Sequence, residues 1–132
     1  MFMIKKIKAL LLDIDGVILN TEYDTNVKLW DALNFLRENG FVVSFLTSRP
    51  FAMSTYILDS FESEGIHVFD NGAYIKDTNN NIIIENQTLE GSMVRNILNY
   101  LEKNDPGSKY GISSNDVFLG NVNFVRNLNN YM

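Results

Sequence analysis

The chain has 132 residues, of which 45% are hydrophobic and 20% are charged, and its formal net charge is −5. This size fits one domain with one core, and the acidic balance disfavours a nucleic-acid partner because phosphate backbones attract basic surfaces. The absence of cysteine excludes a disulfide, a thiolate nucleophile and a zinc–thiolate site.

The N-terminal segment predicts neither a signal peptide nor a membrane anchor. Its apolar run at residues 9–12 is too short for a signal sequence and leads directly into acidic residues. No other stretch approaches the roughly 20 apolar residues of a membrane-spanning helix. We therefore predict a cytoplasmic protein without a membrane partner.

The first elements alternate between strand and helix. Residues 4–14 predict a strand whose centre is continuously apolar, which is typical of a parallel strand covered on both faces. Asp24 is a candidate cap for a helix that runs to about residue 39, and Gly40 stands where a terminating glycine belongs. Residues 41–47 predict the second strand.

The same alternation continues after Pro50, which suits the first turn of a second helix. That helix is predicted to end at Gly65, and residues 66–69 predict a short third strand. The order strand, helix, strand, helix, strand predicts an α/β fold with a doubly wound parallel core, similar to a Rossmann fold.

A turn at Asn71-Gly72 marks a change of pattern. The elements predicted beyond it are a two-stranded hairpin, a helix, a further strand and a weak helix, at residues 73–76, 82–85, 91–103, 116–119 and from 121 onward. We therefore predict a partial α/β core over residues 1–70 and a smaller α+β segment, resembling a cap, over residues 71–132.

Two acids stand at the end of the first predicted strand. Asp13 and Asp15 are separated by one residue and followed by Gly16. Open α/β sheets bind ligands at the carboxyl ends of their strands, and two carboxylates are costly there unless their charge is offset. A divalent cation would offset it and would hold a phosphate oxygen beside the first carboxylate. The alternative is a pair of aspartates that only cap the next turn.

A second polar segment, Thr47-Ser48-Arg49-Pro50, follows the second strand and opens the next helix. A hydroxyl and the unpaired N–H groups of a helix start form a natural seat for phosphate. We predict that the two acids lie beside Thr47, because all three would have to touch one phosphate. Arg49 either adds positive charge there or is a surface residue, and the sequence leaves both open.

The first segment, Asp13-Ile14-Asp15-Gly16-Val17, resembles the first motif of the haloacid dehalogenase superfamily. The resemblance implies that Asp13 attacks phosphorus and forms an aspartyl-phosphate, while Asp15 is the general acid and then the general base. It implies Mg²⁺ as cofactor, held by the Asp13 carboxylate and the backbone carbonyl of Asp15. An ionised carboxylate is a sensible nucleophile, since no proton has to be removed from it.

The later segments resemble the Cof-type branch of this superfamily. Thr-Ser-Arg-Pro is similar to its Thr-Gly-Arg-Pro motif with Ser48 in place of glycine, which implies that Thr47, Ser48 and Arg49 bind the substrate's phosphoryl group. Asn71 stands where such enzymes pass from core to cap, so it either reaches the substrate or is an ordinary turn residue. The implied substrate is a phosphorylated small molecule such as a sugar phosphate.

The superfamily's third-motif lysine and fourth-motif acids are not evident. We expect the chain to be a truncated form that ends within the cap, with poor activity alone and a homodimer through an unpaired strand edge as one consequence. A second interpretation makes residues 116–119 the fourth core strand of a short complete member, with Asn121 in place of a metal-binding aspartate. A binding or regulatory domain without turnover, or a phosphotransferase, are further alternatives.

Overall fold

The computed structural model describes residues 8–20, 27–62 and 65–128. Contacts divide the chain into two compact units, unit 1 at Met1–Asn86 and unit 2 at Gln87–Met132. The predicted helix cap at Asp24 and the start of the first predicted strand lie outside the described residues. Within the described ranges, no helix has the length and apolar character needed to cross a membrane.

Unit 1 begins with two parallel strands joined by a helix. Strand β1, Ala9–Leu12, pairs with strand β2, Val42–Phe45, in the register that places Leu12 opposite Phe45. Helix α1, Val27–Glu38, connects them and packs on β2. Because the two strands are parallel, both carboxyl ends lie at the same edge of the sheet. The predicted α/β fold with a parallel sheet is confirmed.

Helix α1 stops where the sequence predicts. Gly40 has a φ of +78°, a left-handed conformation that glycine adopts without steric cost. The N–H of Phe41 bonds the carbonyl of Leu36 at 3.0 Å, which is the closing bond of a Schellman turn. The chain therefore reverses within a few residues and enters β2.

The segment after Pro50 contains less α-helix than predicted. A 3-10 turn at Phe51–Met53 precedes helix α2, Thr55–Ser60, which has six residues and ends before Gly65. The Ser54 hydroxyl donates to the carbonyl of Pro50 at 3.0 Å. This local bond offers the backbone an alternative to a continuous helix, so the turn and α2 remain separate.

Three further strands complete unit 1. Strand β3, Ile66–Phe69, pairs antiparallel with β4, Tyr74–Asp77, which pairs antiparallel with β5, Ile82–Asn86. A single parallel bridge between Leu46 and Val68 joins β2 to β3. The predicted hairpin is thus present, and its strands extend the sheet begun by β3.

The core of unit 1 is buried between these strands and helices. His67 is fully buried at 0% exposure, and its Nδ1 accepts the N–H of Phe45 at 3.0 Å, so the imidazole is a neutral acceptor there. The other buried apolar residues form one cluster, namely Ile14, Ile18, Leu19, Leu33, Val43, Phe45, Ile57, Leu58, Phe61, Phe69 and Tyr74.

The division of the chain into two compact units falls after Asn86, whereas the sequence placed the boundary between core and cap near Asn71. Strands β4 and β5 pair with β3, so their contacts assign them to unit 1, which extends to Asn86. Sequence patterning signalled the turn at Asn71-Gly72 correctly but could not show which strand the hairpin pairs with. The division into a core and a functional cap stays a prediction.

Unit 2 contains helix α3, Gly91–Asn104, strands β6, Gly111–Ser114, and β7, Val117–Gly120, and helix α4, Val122–Leu128. The sequence did not predict β6. Because β7 pairs antiparallel with β6, the interpretation of this segment as a fourth parallel core strand is wrong.

Asn121 has a structural place rather than a metal-binding one. Its side chain donates to the carbonyl of Ser108 at 2.9 Å and accepts the N–H of Phe124 at 2.9 Å, so it caps α4. An asparagine whose amide groups are engaged in this way does not replace a metal-binding aspartate.

Candidate active site

The loop after β1 presents two acids on a firmly anchored backbone. Asp13 and Asp15 are exposed, whereas Ile14 between them is fully buried. The N–H of Gly16 bonds the carbonyl of Leu19 at 2.8 Å, and Gly16 has a φ of +76°. The glycine therefore allows a tight turn that carries both carboxylates at the carboxyl end of β1.

An open depression of about 410 Å³ lies at this edge of unit 1. The residues that line it come from three separate segments of the chain, namely Asp13, Leu46, Thr47, Ser48 and Asn71. Four of the six residues predicted for the site thus surround one space. The other two, Asp15 and Arg49, bind each other instead.

Thr47 connects the segments around the depression. Its side chain is buried, and its hydroxyl oxygen accepts the N–H of Arg49 at 3.2 Å. Its own N–H bonds the carbonyl of Val68 at 3.0 Å, and its carbonyl accepts the N–H of Asn71 at 3.2 Å. Because the hydroxyl oxygen accepts from Arg49, the hydroxyl hydrogen is oriented elsewhere, as donation to a phosphoryl oxygen requires.

The turn that carries Asn71 has an unusual backbone. Asp70, Asn71 and Gly72 have φ angles of 50°, 55° and 98°, so three consecutive residues lie in the left-handed region. Asparagine tolerates this conformation better than most residues, and such strain is often kept at functional sites. The two predictions for Asn71 are compatible, since it is a left-handed turn residue that also lines the depression.

Arg49 forms a two-pronged ion pair with Asp15. Its Nε donates to Asp15 Oδ2 at 2.8 Å, and its Nη2 donates to Asp15 Oδ1 at 2.7 Å. The Arg49 side chain is 14% exposed and the Asp15 side chain 45% exposed. Arg49 is therefore not an isolated surface residue, and its charge is directed at an acid of the site.

Tyr56 is the residue of this group that the sequence did not reveal. It lies in the first turn of α2, and its hydroxyl accepts a hydrogen bond from Arg49 Nη1 at 3.2 Å. A tyrosine seven residues after an arginine carries no motif signal. The sequence also predicted one helix after Pro50, whereas a 3-10 turn separates Pro50 from α2.

The ion pair changes how both partners titrate. The hydrogen bonds from Arg49 are the main cause that lowers the pKa of Asp15 below its ordinary value of 3.8, against a smaller opposing effect of burial. The same contacts with Asp15, with a smaller contribution from Tyr56, raise the pKa of Arg49. Asp15 is thus held as a carboxylate at neutral pH.

Replacing Arg49 by methionine is expected to raise the pKa of Asp15 towards its ordinary value. Because the folded-state pKa is depressed, the pair stabilises the folded chain above the unfolded pKa, and this is lost as the pH falls through the folded pKa. A ¹³C NMR titration of the Asp15 carboxyl carbon measures the shift. Arg95→Met, at an exposed residue of α3, is the matched control. Equal titration midpoints in the wild type and Arg49→Met would contradict the assignment.

The donor atoms at the depression fit a magnesium ion held mostly by water. Asp13 supplies a carboxylate, of which Oδ1 also accepts the N–H of Ile14 at 2.7 Å. The carboxylate of Asp15 is engaged by Arg49. The resemblance to the superfamily implies the backbone carbonyl of Asp15 as the second ligand. Mg²⁺ prefers six oxygens and commonly keeps several waters. Residues 8–20, 27–62 and 65–128 contain no cluster of three acidic or histidine side chains that could hold a metal.

Comparison with known proteins gives a family match over nearly the whole chain. Residues 10–131 match the model of a family described as haloacid dehalogenase-like hydrolase. No curated protein sequence matches the chain.

Solved structures share the fold at low sequence identity. A haloacid dehalogenase-like hydrolase from B. subtilis is 22% identical with a TM-score of 0.68, covering 84% of this chain and 38% of that one. A subclass IIB sugar phosphatase of the superfamily is 20% identical with a TM-score of 0.74, covering 94% and 48%. A HAD/COF-like hydrolase from Plasmodium vivax is 22% identical with a TM-score of 0.69, covering 85% and 42%. The chain thus spans less than half the length of each.

Proposed function

Because the chain belongs to the haloacid dehalogenase-like hydrolases, we propose that it takes the phosphoryl group of a phosphorylated small molecule onto Asp13. The observation that carries this proposal is the meeting of Asp13, Thr47 and Asn71, from three distant segments, around one depression. A phosphoryl group bound there would face an anionic nucleophile on one side and a hydroxyl donor on the other.

The proposed reaction has two steps. The ionised Asp13 carboxylate attacks phosphorus, the bond from phosphorus to the leaving oxygen breaks, and Asp15 gives that oxygen a proton. Asp15 then takes a proton from water, the water oxygen attacks phosphorus, and the aspartyl-phosphate is released as inorganic phosphate and Asp13. The pair with Arg49 favours ionised Asp15, the form that accepts a proton in the second step.

The remaining residues bind and orient the substrate in this proposal. The Thr47 hydroxyl donates to a phosphoryl oxygen, and Ser48 and Asn71 offer further polar groups at the rim. Mg²⁺ bound to Asp13 and the Asp15 carbonyl would offset the charge of the phosphoryl oxygens. A sugar phosphate is the proposed substrate class, supported by the similar fold of the subclass IIB sugar phosphatase.

Phosphorylation of Asp13 tests the proposal directly. The chain is incubated at high concentration with p-nitrophenyl phosphate and Mg²⁺, quenched in acid and digested for mass spectrometry. We expect a phosphorylated peptide that contains Asp13 and a slow release of p-nitrophenol. Both should disappear in Asp13→Asn and persist in Asp31→Asn, an exposed position on α1. Phosphate on another residue, or equal release by wild type and Asp13→Asn, would refute the proposal.

A phosphate-binding domain without turnover is the second candidate. The observation that favours it is the engagement of both Asp15 oxygens by Arg49, which disfavours the protonated acid needed in the first step. The same experiment separates the two functions. A binding domain would take up inorganic phosphate in calorimetry but yield no phosphorylated Asp13.

A further inference from the structure

We propose that Tyr56 is a positioning residue of this site, which holds the Arg49 guanidinium so that Arg49 fixes the Asp15 carboxylate. The inference rests on the proposed role of Asp15 in proton transfer. According to this inference, Arg49 orients Asp15 and does not bind the substrate. It also adds a residue outside the three motif segments.

The guanidinium is engaged at each of its nitrogens. Nε and Nη2 bond the two oxygens of Asp15 at 2.8 and 2.7 Å, and Nη1 bonds the Tyr56 hydroxyl at 3.2 Å. The guanidinium is planar and its donors form a rigid fork, so a bond at Nη1 constrains the direction of Nε and Nη2. Tyr56 therefore determines the direction in which the fork presents its two remaining nitrogens to Asp15.

The backbone of Arg49 is fixed by the same segments that line the depression. Its N–H bonds the Thr47 hydroxyl at 3.2 Å, and its carbonyl accepts the N–H of Asp70 at 3.0 Å. With the main chain held at both sides, the remaining freedom of Arg49 is that of its side chain. The tyrosine hydroxyl removes that freedom, because it bonds the end of the side chain.

Tyr56 can hold Arg49 in place because helix α2 packs in the core of unit 1. The next two residues of α2, Ile57 and Leu58, are buried in the core of unit 1 at 1% and 6% exposure. The Tyr56 side chain itself is 51% exposed, so its ring contributes little to the core. Its contact with Arg49 is therefore a feature that can be removed without disturbing the fold.

Asp15 is the member of the group that needs such support. It stands on a turn, and its side chain is 45% exposed. A proton-transferring carboxylate has to lie within hydrogen-bond reach of the leaving oxygen, and small displacements are costly to the rate. Arg49 supplies orientation by two parallel bonds, and Tyr56 makes that orientation unique.

The decisive experiment follows the Arg49 Nε–H by ¹H–¹⁵N NMR in the full chain, with the signal assigned by its loss in Arg49→Lys. We expect a resolved Nε–H signal in the wild type and roughly three- to tenfold faster solvent exchange in Tyr56→Phe, because a guanidinium that has lost its bond at Nη1 leaves Asp15 more often. Tyr100→Phe, at an exposed residue of unit 2, should leave the signal unchanged. The unfolding midpoint of Tyr56→Phe should equal that of the wild type.

A kinetic measurement separates positioning from substrate binding. The rate of p-nitrophenol release at saturating substrate should fall in Tyr56→Phe by a similar factor, with KM unchanged, because Asp15 acts on the chemical step. An unchanged Nε–H signal in Tyr56→Phe, or an equal change in Tyr100→Phe, would overturn the inference. The NMR result stands even if Asp13 proves not to be phosphorylated, so failure of the proposed function is distinguishable from failure of this inference.

Discussion

The chain is expected to hydrolyse p-nitrophenyl phosphate roughly 10⁴–10⁶-fold more slowly than a phosphatase with a complete set of positive groups around the phosphoryl oxygens. The transferring group carries dense negative charge, and Asp13 must approach it as an anion. Within the described residues, Arg49 contributes positive charge at the site through its ion pair with Asp15, and the Asp15 carboxylate offsets that charge. The same residues offer no cluster of three metal-holding side chains. Losing one preorganised electrostatic element costs roughly 10²–10³-fold. In the described part of the chain, neither a lysine lining the depression nor a cluster of metal-holding acids is present.

A parallel assay with the subclass IIB sugar phosphatase measures this difference under one set of conditions with Mg²⁺. Asp13→Asn defines the background rate of the chain. Turnover within about tenfold of the sugar phosphatase, abolished by Asp13→Asn, would contradict the prediction. It would mean that further charged groups complete the site.

Phe45→Ala is expected to destabilise unit 1 by about 3–5 kcal/mol, the usual cost of emptying a buried phenylalanine site. The Phe45 side chain is 0% exposed, and its ring lies 5.5 Å from that of Phe61 and 5.3 Å from that of His67. Folded domains are stable by only about 5–15 kcal/mol, so a large part of the stability should disappear. Urea denaturation followed by the fluorescence of Trp30, the single tryptophan, measures the loss.

Phe35→Ala is the matched control for this substitution. Phe35 lies on α1 with 63% of its side chain exposed, so the same atoms are removed without leaving a cavity. We expect a change within about 0.5 kcal/mol, as for most surface substitutions. Equal destabilisation by the two variants would show that Phe45 is not a centre of the core.

The family and the fold class could be predicted from short segments of sequence. The acids at residues 13 and 15 follow an apolar strand, and Thr47 follows the next one. Parallel strands place such positions at one edge of a sheet, so the neighbourhood of Asp13 and Thr47 follows from spacing alone. The sequence Asn71-Gly72 likewise predicted a turn, and both residues have the left-handed backbone that asparagine and glycine tolerate best.

The partner of Arg49 was not predictable, because nothing along the chain indicates where a long flexible side chain ends. The sequence after Pro50 predicts one continuous helix. In the structure, a 3-10 turn precedes α2, and the Ser54 hydroxyl bonds the carbonyl of Pro50. Tyr56 of α2 bonds Arg49, a contact that no local sequence pattern indicates. Asp15 and Arg49 are 34 positions apart in the sequence, and nothing between them indicates the ion pair that joins them.

The sequence by itself determined most of the local elements and which polar residues end the strands, since periodicity, glycine turns and strand-end acids act over a few residues. Strand β6 and the division of the helix after Pro50 were not predicted. Only the tertiary structure decided the strand partners and the side-chain pairs. Strand β4 pairs with β3, and β7 pairs with β6, which the sequence did not show. His67 became a buried acceptor for the N–H of Phe45. These choices depend on the free energy of contacts between distant residues, which no local pattern encodes.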